Sequence, residues 1–341
     1  MNAIVKRSTL LLLGGLGACL GASVVMQQTQ PPPAAQSRIE AAIDQSQVIP
    51  LAPVRAPANV GAEALAHART LVGFGARHPG TPGWTAQLRY IERTLQGHGL
   101  SVQADTWTDR IERITFTNLS CTLPGKRRER IVLGCHHDTK CTTGHSDPAH
   151  NFHFVGANDG ASAVALLLTL APLLAATERE ATLELVFFDG EESLDWKWND
   201  GARALFGSKR FVKRHRDALL LGDEPRIEAL VLLDMVGRAD LHIQEELYST
   251  DLLRQITWSA AVATGHRALF YRRAEAASDD HKPFLEVGIP AVDLIDLNGN
   301  PQWHTKDDTL EHLAPASLQA VADVVLTMLP EVERRYVLAR R

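Results

Sequence analysis

The spacing of apolar positions changes period repeatedly along this chain. Thr182–Phe188 and Ile227–Leu233 are near-continuous apolar runs, and Arg130–Cys135 and Ala291–Ile295 are shorter ones. Runs of this length predict strands covered on both faces. Ser101–Trp107 and Arg113–Leu119 instead alternate and carry β-branched residues, which predicts strands at a half-exposed, antiparallel edge. Helical periodicity appears at Glu63–Val72 and Thr85–Gln96, ending at Gly73 and Gly97, and again at Gly160–Ala176, which is apolar on most sides. Asp251–Thr264, a short His281–Val287 and a long Pro315–Leu338 complete the helices. Buried strands alternating with helices predict an α/β fold: a three-layer α/β/α sandwich around a central mixed, mostly parallel sheet. No internal repeat interrupts it.

The first residues obey a different pattern. Lys6-Arg7 precede an uncharged run from Ser8 to Met26 rich in Leu, Gly and Ala. That layout predicts a signal peptide or a membrane or lipid anchor over residues 1–26. Leu16-Gly-Ala-Cys19 resembles a lipoprotein cleavage box, so a lipid on Cys19, a plain cleaved signal and an uncleaved anchor all stay open. Each implies an exported chain: periplasmic, secreted or membrane-anchored. Residues 27–58, with Gln-Gln-Thr-Gln followed by Pro31-Pro32-Pro33, read as a tether, leaving 59–341 as one catalytic domain.

Charge and cysteine count narrow the function. A net charge of −5 without a basic surplus excludes nucleic acid as the expected partner, and no long apolar stretch follows the leader. Beyond Cys19 the cysteines are Cys121, Cys135 and Cys141; export permits one disulfide, with the pairing open. These spacings make no zinc-finger pattern.

The chemistry collects at predicted strand ends, where open α/β sheets bind ligands. Asp138 follows one strand, Glu191 and Glu192 another, Asp234 a third, and His304 comes after the last. Two adjacent glutamates at the end of a buried strand repel each other and are costly to bury without a compensating cation. Asp159, in Gly156-Ala-Asn-Asp159-Gly160, is either an N-cap for the following helix or a ligand. Asp159, Glu192 and His304 together make a three-ligand Zn²⁺ site with an open fourth position, which is the character of a catalytic centre. Glu191 then stands beside the metal as a proton carrier. Asp280, His78 and His281 read as structural, and the stretch holding His145, His150 and His153 as a solvated loop. For His136 and His137, a ligand role and a core role both stay open.

The ordered set His136-x-Asp138, Gly156-x-x-Asp159, Phe188-Asp-Gly-Glu-Glu192, Asp234, Asp279-Asp-His281, Gly288-Ile-Pro290 and Trp303-His304 resembles the M28 zinc peptidase superfamily. Within it, the animal-type glutaminyl-peptide cyclotransferases, or glutaminyl cyclases, are the closest resemblance. Trp303 before His304, the tryptophan-bearing stretch Ser193–Phe206 and Asp279 in place of a serine favour that branch. The resemblance implies cyclisation of N-terminal glutamine to pyroglutamate with release of ammonia. It implies one zinc on Asp159, Glu192 and His304, and catalytic roles for Glu191, Asp234 and Asp279. Trp196 and Trp303 are the expected substrate walls, with Trp198 read as packing. Peptides or proteins with N-terminal Gln are the implied partners, and a monomer is expected. The alternative is an M28-type dizinc aminopeptidase, with a second metal on His136 and Asp234. The family's disulfide partner of Cys135 falls on Val164, so that bond cannot form.

Overall fold

The computed structural model describes residues 41–198 and 203–339. The predicted leader and the first part of the tether lie outside the described residues. Eight strands are present among them: β1 Val102–Thr108, β2 Thr115–Leu123, β3 Arg130–His136, β4 Thr182–Phe188, β5 Ile227–Asp234, β6 Ile243–Glu246, β7 Phe270–Glu275 and β8 Ala291–Ile295. The helices are α1 Val60–Val72, α2 Pro82–Gly97, α3 Ser162–Ala175, α4 Phe206–Leu221, α5 Asp251–Ala263, α6 Lys282–Glu286 and α7 Pro315–Val332.

The main sheet runs in the order β1-β2-β4-β3-β5-β8. Strands β4, β3, β5 and β8 are parallel, while β2 is antiparallel to both β4 and β1. The expected mixed sheet and its antiparallel edge are therefore present. Alternate residues of β4 explain its unbroken apolar run. Leu183, Leu185 and Phe187 join the core beneath α1, α3, α5 and α7, whereas Val186 and Phe188 join a second core with Val212 of α4 and Phe284 of α6. A strand covered on both faces loses period-2 alternation, and its one charged residue, buried Glu184, is paired with Arg130 at 2.9 Å.

Three elements differ from the sequence reading. Helix α4 was not expected; it is lysine- and arginine-rich and buries few side chains, Val212 and His215 among them. Strands β6 and β7 form a separate two-stranded parallel sheet, also unexpected because their charged residues mask any strand pattern. The C-terminal helix is regular only to Val332, after which Glu333–Leu338 winds as a π-helix.

Residues 41–58, the described part of the expected tether, have no helix or strand yet are bound along their length. The amides of Ile43, Ile49, Val54 and Ala56 donate to side chains of Glu245, Ser259, Thr327 and Asp323, at 2.6–2.9 Å. Over these residues the segment is a strap. Cys121 and Cys135 are buried, Cys141 is exposed, and all three are free thiols.

Candidate metal and active site

The site sits where β3, β4, β5 and β8 end. Two short approaches shape it, each requiring a glycine. Gly160 has φ 89°, and a Cβ there would stand 2.5 Å from the carbonyl oxygen of Asp138. Gly190 has φ 68°, with the Phe116 ring 2.5 Å from any added Cβ. Only a residue without a side chain accepts this backbone and this crowding. Past Gly190, the amides of Glu191 and Glu192 donate to the two oxygens of Asp138, at 3.1 and 3.3 Å.

Asp159 is not a helix cap. The N-cap of α3 is Ala161, which makes no side-chain cap bond, so the carboxylate of Asp159 is free for another use. Its loop is pinned by Asp308, whose two oxygens accept the amides of Asn158 and Asp159 at 2.7 and 3.0 Å. Behind it the buried guanidinium of Arg77 donates to the carbonyls of Val155 and Gly156. On the other side His304 takes φ 52°, a left-handed conformation that side chains other than glycine rarely adopt.

These supports bring Asp159, Glu192 and His304 together. Nε2 of His304 lies 3.3 Å from Oδ2 of Asp159 and 3.2 Å from Oε2 of Glu192. Oδ2 of Asp159 and both oxygens of Glu192 are buried without a hydrogen-bond partner. Convergent, desolvated acceptors with nothing to accept from fit a divalent cation, and a histidine with two carboxylates suits Zn²⁺. Burial disfavours a charged His304, yet Glu192 and Asp159 outweigh it and push the imidazole up to about 9. A triad able to hold a metal is therefore present.

A second cluster shares Asp159. Nε2 of His136 lies 3.3 Å from Oδ1 of Asp159 and 3.0 Å from Oδ1 of Asp234, within a group also spaced for a metal. His137, by contrast, is a core residue, with its ring held between Gln87 and the carbonyl of Thr117 and pushed down to about 4, chiefly by burial.

Glu191 does not belong to either group. It lines a cavity of about 490 Å³ together with Asp159, Asp234, Asp279, Trp303 and His304. Burial, and then the charge of Asp279, push its carboxyl well above the usual range. Burial also raises Asp234, to about 7, although His136 opposes the shift. Oδ2 of Asp279 has no partner. The pocket thus holds three carboxyls outside the metal triad, and two of them, Glu191 and Asp234, are made stronger bases than in water by burial.

Every predicted site residue is brought to this place, but Trp196 does not line the cavity. Its backbone has φ 61°, and its ring stacks on His150 with centroids 3.9 Å apart and meets the His304 ring edge-on at 5.4 Å. Trp198, read above as packing, lines the cavity together with Trp303. Trp303 stacks on His304 at 4.4 Å. The loop histidines are thus partly a platform for Trp196, and no metal cluster is found around them among the described residues.

The sequence profile of peptidase family M28 matches residues 118–329. The chain belongs to peptidase family M28. Among curated M28-like relatives, the glutaminyl-peptide cyclotransferase-like protein of Bos taurus is 29% identical over 290 residues, covering 75% of this chain and 72% of that protein. Among solved structures, the glutaminyl cyclase of an Acidobacteriales bacterium superposes with a TM-score of 0.73 at 29% identity, covering 85% of this chain and 99% of that one. A leucine aminopeptidase precursor from Bacteroides thetaiotaomicron superposes with a TM-score of 0.71 at 25% identity, covering 82% and 98%. Within family M28 the chain thus resembles the glutaminyl cyclases.

Several residues of this M28 site carry no signal in the sequence. Lys140 is buried, with Nζ 3.6 Å from Oε2 of Glu192, and it donates to the carbonyl of Ser193. The same ammonium lies over the rings of Trp196 and Trp198, at 4.7 and 5.3 Å. Asp308 and Tyr248 were likewise missed. Asp280, expected to be structural, is buried and accepts from Ser208. His281, also expected to be structural, is enclosed between Glu246 and Asp293.

Proposed function

We propose that this M28 chain cyclises the N-terminal glutamine of peptides or proteins to pyroglutamate, releasing ammonia. The observation that carries the reading is the position of Glu191: inside the cavity, beside the metal triad but outside it, under tryptophan walls. Asp159, Glu192 and His304 would hold one zinc ion, which when bound would supply Lewis-acid polarisation of the side-chain amide carbonyl. Everything else is work for the chain's own residues.

Asp234 and Asp279 accept N–H groups of the substrate's terminal amine and hold its nitrogen toward the amide carbon. As the new C–N bond forms, Glu191 takes a proton from that nitrogen. The bond from carbon to the departing nitrogen then breaks, and Glu191 gives the proton to it, so ammonia leaves and the carboxylate is regenerated. Trp198 and Trp303 keep the glutamine side chain folded back and shut out water. No water is consumed by cyclisation, so excluding it does not hinder the reaction, and holding the chain folded back raises the effective concentration of the internal nucleophile.

A second reading is favoured by one observation, the cluster of His136, Asp159 and Asp234. With two ions sharing Asp159, Glu191 would instead deprotonate water for an aminopeptidase. Incubating the protein with a Gln-initiated peptide and weighing the product separates them. Loss of ammonia from an otherwise intact chain is expected; release of a free amino acid would overturn the cyclase. The leader-like start of the chain supports export, with the N-terminus as the point of any membrane attachment, and we retain a monomer. No helix among the described residues is long and apolar enough to cross a membrane.

A further inference from the structure

A groove of about 450 Å³ lies beside the catalytic cavity, lined by Arg238, Arg272, Arg273, His242 and a single carboxylate, Asp240, around the turn at Asn298 and Gly299. Three chain segments connect the two. Met235 lines the cavity and Arg238 the groove; Ala276 and Ala277 line the cavity and Arg272 and Arg273 the groove; Leu297 lines the cavity and Asn298 the groove. Three residues of chain span at most about 10 Å. The two linings therefore lie within about 10 Å of each other, the reach of the second to fourth residues of a peptide whose first residue occupies the cavity.

The charges in the groove are unequal. Arg238 is committed to buried Asp296, with two bonds of 2.7 and 2.9 Å. Asp240 is exposed and faces Arg238 at 3.8 Å and His242 at 3.7 Å. Arg272 and Arg273 pair with no carboxylate among the described residues. Each is held by one neutral contact, Arg272 on Nε2 of His242 at 2.7 Å and Arg273 on the carbonyl of Asn298 at 3.1 Å. The tip of Arg273 lies over the turn, its Nη1 2.1 Å from where a Cβ at Gly299 would stand. Both guanidinium groups keep most of their five N–H donors free, in a fork that matches a carboxylate.

We propose that this groove is a subsite for acidic side chains of the substrate. On the cyclisation reading, on which this rests, the preferred substrates carry Asp or Glu within the three residues after the N-terminal glutamine.

Two Gln-initiated peptides, identical except for Glu or Gln at the third and fourth positions, test this through ammonia release. At low salt the wild-type kcat/KM favours the acidic peptide about threefold to tenfold, the size of one or two exposed ion pairs. The preference shrinks as salt rises. It also shrinks in R272Q and R273Q, and falls to near one in the double variant. A wild-type ratio near one at low salt overturns the subsite, as does a ratio unchanged in the double variant. Absence of ammonia from both peptides overturns the cyclisation reading itself, and the subsite falls with it.

Discussion

The ammonium of Lys140 lies 3.6 Å from Oε2 of Glu192, and both side chains are buried. One cation thus faces a proposed metal ligand, the carbonyl of Ser193 and two tryptophan rings. Without metal, it is the nearest positive charge from a lysine or arginine to that carboxylate. Breaking a buried pair leaves the partner uncompensated and costs about 3–5 kcal/mol. Lys140→Met should therefore lower the urea-unfolding stability of the metal-free protein by about 3 kcal/mol. Added zinc should restore more stability to the variant than to wild type. An unchanged urea midpoint without metal would contradict the pairing.

Glu191→Gln keeps size and shape but removes the proton carrier. Metal content by elemental analysis should match wild type, while ammonia release falls about 10²- to 10⁴-fold. A variant that loses its metal would show that Glu191 is a ligand after all.

Asp308 acts on the metal only through the backbone it holds. In Asp308→Asn one of the two amides, Asn158 or Asp159, faces an NH₂ group instead of an acceptor. Zinc affinity, read by competition with a chelator, should fall about tenfold to a hundredfold with the fold retained. Equal affinity would mean that Asp159 finds its place without this support.

The tryptophans should separate by role. Trp198→Ala and Trp303→Ala remove cavity walls and should raise KM for a Gln peptide about tenfold or more, the cost of losing an aromatic anchor. Trp196→Ala removes the ring that stacks on His150 and should act on the loop carrying Trp198, lowering kcat and raising KM together. Steady-state kinetics on the three variants decides this; a KM effect confined to Trp196→Ala would restore the sequence reading.

Away from the metal, Glu246 accepts the amides of Tyr248, Ser249 and Ala277 and lies 3.0 Å from Nε2 of His281. Burial works against the charge, but His281 and these donors hold the carboxyl down at about 2. A carboxylate depressed on folding adds stability that is complete above its unfolded value, about 4.3, and is lost as pH falls toward 2. Glu246→Gln should cost on the order of 3 kcal/mol near neutral pH and flatten the acid arm of the stability curve across that window. Urea midpoints over that range check it; parallel curves for the two proteins would refute it.

The parts of this fold legible in the sequence are those where one force dominates. Strand β4 was bounded correctly at Thr182 and Phe188 because both its faces are apolar. Strand β6 was not, because its Glu245 and Glu246 are satisfied by Arg254 and His281, partners that the local pattern does not show. The strap over 41–58 was read from its prolines, whereas its order comes from four side-chain acceptors scattered between residues 245 and 327. In the site, residue types announced the triad that converges there, but orientation did not follow from type. Trp196 and Trp198 are two positions apart, Trp196 takes a left-handed turn, and only Trp198 lines the cavity. Lys140 is indistinguishable in sequence from a solvated loop lysine.

Asp138 binds the amides of Glu191 and Glu192 with one oxygen each. The proposed metal ligand and the proposed proton carrier therefore stand on a common footing, one carboxylate fixing the backbone of both. Evolution acting on neighbouring loops can then reshape the walls for new peptides without retiming the proton transfer.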